Sequence, residues 1–420
     1  MRSSPLVDPL PIPPCLRQSL AAAASELRLA LVGGAVRDLL LHRVHRDPWR
    51  SLPDLDLVVE SAAASASAAD PAAHRLARAL LALEPDAVGF CRFHDAYGTV
   101  ELELHGVLLD LATARAETYP CPAENPLVQS GCLEDDLVRR DFSINAMALV
   151  LQPDGGSTLL DPHGGQADLA ARQLRLLHER SLTDDPTRLV RAARYAARLG
   201  LSLEPASLEQ AQRTLATWPW PWQPGDPPQK APPALGTRLR MEFDLLLERE
   251  PWPSALALLQ AWGGLALLDP GLQAEHRLRP RLWRARRLGL PLLPALLTAA
   301  ADPLALAARL QLTHAQQRWL AQWLALRTSL PATAAASAWV PSRWCALLEG
   351  HGCSPEAVAL AIAAGDGPRR PLLRWWWQWR HQKAPLSAEA LMAREGLRPG
   401  PALGERLREL RAQRLDQERS

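Results

Sequence analysis

Asp54 and Asp56 flank Leu55 in the segment Asp-Leu-Asp-Leu-Val-Val-Glu at 54–60. Polar and apolar residues alternate at its start, which predicts a strand, and residues two apart on a strand share a face. The two carboxylates are thus forced together, while Leu55 and Leu57 turn into the sheet. Like charges so placed are costly unless a cation sits between them. Hard oxygen ligands of this kind suit Mg²⁺, which takes one or two carboxylates together with phosphate oxygens and water. Taken alone, an Asp-x-Asp is better read as a turn followed by an exposed strand edge.

Upstream, Gly33-Gly34 separates the apolar run Leu-Ala-Leu-Val from a periodic segment reaching Leu41, a strand, glycine turn and helix in succession. Glycines let backbone approach a phosphate closely, and the first amides of the helix face it. Arg37 lies in the first turn of that helix, where it either reaches an anionic phosphate or pairs with Asp38, Asp54 or another carboxylate. A phosphate cradle followed by a metal-binding acid pair is what nucleotidyl transfer needs.

Five ordered strings extend this pattern: LVGGAVRDLLL at 31–41, DLDLVVE at 54–60, RRDFSINAMAL at 139–149, DPHGGQADL at 161–169 and DDPTRLVRAARYAARLGL at 184–201. With them the chain resembles the class II tRNA nucleotidyltransferase/poly(A) polymerase family, and GLRPGPALGERLREL at 396–410 is similar to the tail of bacterial members. The resemblance implies that Gly34 and Arg37 hold a triphosphate, that Asp54 and Asp56 bind catalytic Mg²⁺, and that Arg140 lies near the nucleotide ribose and phosphates. It also implies that Asp185 and Arg188 act as an amino-acid template for the incoming base. That role has a chemical basis. Cytosine and adenine each present an exocyclic amino donor beside a ring-nitrogen acceptor, whereas uracil and guanine invert the order, so a carboxylate and a guanidinium together suit C and A.

Asp185, Arg188, Arg191 and Arg194 recur at intervals of three and are expected on one face of one helix, with the three arginines meeting the triphosphate. A solvated basic face is the ordinary alternative. The family's usual Glu-Asp-x-x-Arg is Asp-Asp-x-x-Arg here, with Asp184 in a supporting place. Arg238 and Glu242 fit a structural Arg-x-x-x-Glu pair of the family. A third catalytic carboxylate is expected by analogy with related polymerases; Asp110 is the candidate, with Glu101 and Glu103 behind it.

These residues need a scaffold, and 420 residues allow about two to four domains. Hydrophobic residues at 48% and charged residues at 22% match a folded globular chain rather than a disordered or fibrous one. A net charge of +2 supplies no global field, so polyanion binding must rest on local patches. The six cysteines show no zinc or disulfide spacing, which leads to an expectation of reduced thiols and a cytoplasmic location. Prolines break the N-terminus where a signal peptide needs an apolar run, and no membrane span is expected.

The fold expected is α+β. A small mixed-sheet head, polymerase β-like by the resemblance, occupies 1–155; a neck carrying the template helix follows at 156–250; and 251–420 forms an all-α body and tail that binds tRNA. Strands are expected near 87–93, 97–105 and 107–113, with short ones at 158–160 and 174–177. Residues 117–131 read as a loop, and the proline-rich 217–234 as an exposed loop or insertion. In the C-terminal half, Arg277, Arg279, Arg281, Arg284, Arg286 and Arg287 form one basic cluster. Trp375, Trp376, Trp377 and Trp379, interleaved with Arg374 and Arg380, either stack on nucleotides or fill helix interfaces.

The activity expected is template-independent addition of CCA, or of the terminal A alone, to the tRNA 3′ end from CTP and ATP, with release of pyrophosphate. The loop AETYPCPAENPLVQSG is similar to that of A-adding members. A bacterial poly(A) polymerase is the nearest alternative, and an idle RNA-binding paralogue a second; the intact acid pair and Asp-Arg template speak against the latter. Neither an obligatory protein partner nor a His-Asp phosphohydrolase signature is evident.

Overall fold

The structure is a computed structural model that describes residues 12–24, 26–50, 54–61, 70–95, 98–152, 156–331 and 338–417. The proline-broken start of the chain, residues 1–11, lies outside them. Two compact units are present. One runs through Pro221 and adds 232–234 and 254–262; the other comprises 222–231, 235–253 and 263–420.

The first unit is built on a seven-stranded sheet. In chain order its first five strands are β1 (Leu27–Val32), β2 (Asp54–Ser61), β3 (Val88–His94), β4 (Thr99–Leu104) and β5 (Val107–Thr113). A separate two-stranded ribbon follows, β6 (Arg115–Thr118) paired with β7 (Leu127–Ser130), before the chain returns to the sheet as β8 (Ala148–Leu151) and β9 (Ser157–Leu160). The order in space is β3-β4-β5-β2-β1-β8-β9, and every neighbouring pair is antiparallel except β2 and β5. The segment expected as a loop over 117–131 is thus partly strand. β7 is exposed at every position, so it lacks the apolar alternation that marks a half-buried strand. The strand expected over 174–177 is a two-residue β10 (Gln173–Leu174), parallel to β11 (Ser202–Leu203).

Helix α1 (Pro14–Ala23) is followed by β1, the glycine turn and α2 (Gly34–Arg43). Helix α3 (Ala72–Leu83) buries Ala72, Ala73, Leu76, Ala77 and Leu80, an i, i+4 stripe that packs on β2, β4 and β5. Leu133 and Leu137 of α4 (Leu133–Val138) join Ala30, Val32, Val58, Ala148 and Val150 of the sheet in one apolar cluster. Beyond α5 (Gly165–Ala170) and α6 (Ser181–Asp184), the basic helix α7 (Thr187–Leu199) ends at Gly200, which takes the left-handed conformation at φ 66° that favours glycine.

The second unit contains helices and short 3₁₀ turns, with no strand among its described residues. The helix at 355–364 buries seven consecutive positions from Ala357 to Ala363, and its alanines let the helices at 278–287 and 314–329 approach closely. Arg309 is buried; its Nη2 donates to Leu267 O at 3.0 Å and to Leu268 O at 2.6 Å, and its guanidinium lies 4.6 Å from the Trp222 ring centroid. Trp222 is itself 5% exposed, and in the first unit Trp220 is 3% exposed. The proline-rich segment is therefore anchored by indoles instead of lying wholly in solvent: its prolines lack the N–H that a helix or sheet ladder needs, and its tryptophans supply the buried apolar area instead. Trp375 and Trp376 fill an interface while Trp377 is 60% exposed.

Candidate active site

Gly33 links β1 to α2 with φ 69°, a left-handed geometry that a side chain would strain. A Cβ there would also stand 3.1 Å from Arg140 Nη1 and 3.6 Å from Asp56 Oδ2. The turn, the RRD arginine and the acid pair, distant in sequence, are therefore packed against one another. A Cβ on Gly34 would come within 3.3 Å of Arg37 Nη2.

The alternation expected for β2 is present: Asp54 and Asp56 are exposed and Leu55 and Leu57 buried. Parallel pairing with β5 makes Asp56 the register partner of Asp110. Ligand oxygens of Asp54, Asp56 and Asp110 all lie within 4.8 Å of one another. Asp56 retains an accessible face, yet the protein around it thins its water. That desolvation, followed by repulsion from Asp54 and Asp110, pushes its carboxyl up to about 6 against the pull of Arg140. Desolvation, then Asp54 and Glu101, also raise Asp110, while His94 acts the other way. Three hard oxygen donors with unbalanced negative charge fit a divalent cation. Glu101 partners Asp110 across β4 and β5 and lines the same cleft, whereas the Glu103 carboxylate lies over Gly89 of β3; neither belongs to the three-acid group.

The cleft over these acids has a volume of about 470 Å³, and its polar walls include Asp56, Asp110, His94, Glu101, Arg139 and Arg140. Asp136 on α4 is fully buried and holds both arginines, accepting from Arg139 Nη2 at 2.6 Å and Arg140 Nη2 at 2.8 Å. Arg139 also donates to Glu117 at 3.0 Å. The sequence patterns did not single out Arg139, His94 or Asp136 for the site. The spacing of Asp136 three and four residues before the two arginines was a readable helical signal.

Asp185 is not on the helix that carries the arginines. It is extended at φ −144°, just ahead of α7, and its Oδ1 accepts from Thr187 N at 3.0 Å and Thr187 Oγ1 at 2.6 Å. The Pro186 that follows starts the helix and keeps Asp185 extended, so that its carboxylate caps the first turn. Arg188, Arg191 and Arg194 do share one face of α7, but that face turns inward: Arg188 is 5% exposed and Arg194 8%. Arg188 Nη2 donates to the Arg139 carbonyl at 2.9 Å, and its buried Nη1 has no partner among the described residues. Arg191 Nε donates to Asp141 Oδ2 at 2.8 Å. Burial opposes ionisation of Asp141, but Arg191 and Asn145 outweigh it and hold its carboxyl below the ordinary value. A solvated basic face is excluded, since Arg188 and Arg191 are engaged with the Arg139 carbonyl and Asp141. Arg37 is buried as well, with Nε donating to Asp38 Oδ1 at 2.8 Å, so it has the structural pairing anticipated as one of its two roles. Asp184 is buried and accepts from Arg180 Nη2 at 3.0 Å. In the second unit, Arg238 and Glu242 stand one turn apart on the helix at 237–248.

Residues 29–175 match the poly A polymerase head domain. Over 361 residues the chain is 38% identical to the CC-adding tRNA nucleotidyltransferase of Deinococcus radiodurans, spanning 83% of this chain and 84% of that protein. The A-adding tRNA nucleotidyltransferase of Aquifex aeolicus is 33% identical over 265 residues, which span 62% of this chain but 28% of the relative. Among solved structures, the Thermotoga maritima CCA-adding enzyme complexed with tRNA shares the fold with a TM-score of 0.71 at 23% identity, over 97% of this chain and 93% of that one. No helix among the described residues is long and apolar enough to cross a membrane.

Proposed function

The chain belongs to the tRNA nucleotidyltransferase/poly(A) polymerase family, and on that premise we propose that it extends tRNA 3′ ends by template-independent transfer of cytidylate from CTP. It is a nucleotidyltransferase. One observation carries the chemistry: three aspartates from two neighbouring strands converge beside a glycine turn that opens a helix. The choice of C is supported by the Deinococcus relative, which aligns over most of both chains, whereas the Aquifex A-adding enzyme aligns over little of its own length.

In this reading Asp54, Asp56 and Asp110 would hold Mg²⁺, which supplies charge neutralisation for the triphosphate and lowers the pKa of the attacking hydroxyl. The amides at Gly34 and the start of α2 face the phosphates, with Arg140 beside them at Gly33. The tRNA 3′-hydroxyl releases its proton to solvent as its oxygen attacks the α-phosphorus, the bond to the bridging oxygen breaks, and pyrophosphate departs. Asp185 and Arg188 select the base. Arg188 lines a recess of about 320 Å³ with Tyr119, Arg139 and His178, and its guanidinium is the donor for a ring nitrogen in this reading. The division into a head at 1–155, a neck at 156–250 and a tRNA-binding body and tail at 251–420 accompanies this proposal.

The test supplies tRNAs ending before, within or just short of CCA, with each nucleotide given singly. Two cytidines added to the shortest tRNA, and nothing from ATP, are expected. Labelling confined to the last adenosine would select A addition, full restoration from CTP and ATP a complete CCA enzyme, and long A tracts on any RNA a poly(A) polymerase.

A further inference from the structure

Tyr195 of α7 has three guanidinium carbons around its ring: Arg37 at 5.3 Å from the centroid, Arg191 at 5.6 Å and Arg198 at 5.2 Å. Its hydroxyl accepts from Arg191 Nη2 at 3.0 Å, and Phe142 meets the ring edge to face at 5.9 Å. The residues around it form a closed circuit. Arg37 Nη1 donates to Asn145 Oδ1 at 2.8 Å, Asn145 Nδ2 donates to Asp141 Oδ1 at 2.9 Å, and Asp141 Oδ2 accepts from Arg191 Nε at 2.8 Å. The Tyr195 hydroxyl on Arg191 and the Tyr195 ring on Arg37 complete the loop, joining the helix after the glycine turn to the template helix.

Guanidiniums gathered this closely repel one another, and something must hold them. A further carboxylate would do so while cancelling a charge. An aromatic face attracts each cation by about 0.5–2 kcal/mol and leaves its charge intact. Asp38 pairs with Arg37 and Asp141 with Arg191, and the ring adds its attraction to both arginines without bringing another negative charge to the cluster.

We propose that Tyr195 is a positioning residue for the triphosphate: it fixes Arg37 and Arg191 beside the carboxylates they already pair with and adds no third negative charge, so that the guanidinium cluster presents a more positive field to the incoming phosphates than a further acid would leave. This rests on the nucleotidyltransferase reading above, since it presumes that phosphates occupy the glycine turn.

The test uses the full chain with Tyr195→Leu and Tyr195→Phe. CTP binding is titrated directly, inorganic pyrophosphate serves as a probe of the phosphate site alone, and kcat is read at saturating CTP. Tyr195→Leu is expected to weaken CTP and pyrophosphate together by about tenfold, with kcat held within about threefold; Tyr195→Phe, which keeps the ring and loses one hydrogen bond, should weaken both by about threefold. A folded Tyr195→Leu protein with unchanged CTP affinity overturns the proposal, as does weakened CTP binding with pyrophosphate unaffected. Should Tyr195→Leu not fold, Tyr195→Phe decides, and wild-type affinities in that variant overturn it. If wild-type protein binds both probes yet transfers nothing to tRNA, the transferase reading fails while the binding comparison still judges Tyr195.

Discussion

Asp56 on β2 and Asp110 on β5 are register partners across the one parallel pairing of the seven-stranded sheet, and with Asp54 they put three carboxylates within 4.8 Å. The Asp54–Asp56 end of β2 is held by its ladder with β5, and the strand beyond it, Leu57–Ser61, is also paired with β1, so the acids cannot relax apart as they would on a loop. Its consequences are measurable.

The Asp56 carboxyl is raised from 3.8 to about 6, so in that window the folded chain holds a proton that the unfolded chain has lost. By linkage, this group makes metal-free stability fall as pH rises through the window. Unfolding temperatures taken in chelator between about pH 4.5 and about pH 7.5 should decline less steeply in Asp56→Asn than in wild type. Cation affinity, read by Mn²⁺ titration, should drop by about tenfold per pH unit below about pH 6, because each cation displaces a proton. Equal slopes in the two proteins would show that the Asp56 carboxyl is not raised.

Asp54→Ala and Asp110→Asn should each lower kcat with every nucleotide by about a thousandfold or more, the loss of several kcal/mol of metal-borne stabilisation. Single-turnover assays with pre-bound tRNA check this. Full activity in Asp54→Ala would refute the mechanism.

Replacing Arg188 by Ala should reduce the preference for CTP over UTP by about 10–100-fold, since a charge-assisted hydrogen bond is worth about 1.5–3 kcal/mol. Asp185→Ala should act in the same direction and also loosen the start of α7, because Thr187 loses its cap. The ratio of kcat/KM for the two nucleotides is the readout; an unchanged ratio would place base selection elsewhere.

Gly33→Ala places a Cβ 3.1 Å from Arg140 Nη1 on a backbone at φ 69°. An alanine held at φ 69° and ψ −132° lies outside the left-handed helical well and costs about 1–3 kcal/mol, and Arg140 must also give way. The KM for nucleotide should rise while the KM for tRNA stays near wild type.

On the helix at 278–287, Arg279, Arg286 and Arg287 are exposed beside Trp283, whereas Arg281 is buried and donates to Thr298 at 2.7 Å. Changing the three exposed arginines to Gln should weaken tRNA binding and make its salt dependence shallower, by a slope of about one for each phosphate that is no longer neutralised. Arg281→Gln should instead lower the unfolding temperature. An unaltered salt slope in the triple variant would remove this helix from the RNA surface.

Much of the site was legible in the sequence because its signals are local. Alternation at Asp54–Leu57, the glycine pair before a helix, and the arginine spacing of α7 each express a backbone period that neighbouring residues fix among themselves. Trp375 and Trp376 were likewise readable as interface residues from their size. The strand β7 was not, since all four of its side chains are exposed and its pairing with β6 rests on backbone hydrogen bonds.

The sequence by itself determined which groups are present and which face of a strand or helix each occupies, because those follow from local geometry. Only the tertiary structure decided that Asp110 completes the acid pair and that the proline-rich segment is anchored by its indoles. It alone turned the arginine face of α7 inward onto Asp141 and the Arg139 carbonyl. Strand register, and the partner that each buried charge finds, are set by long-range pairing and by the cost of leaving a buried charge unpaired, and neither is written in the spacing of any one segment.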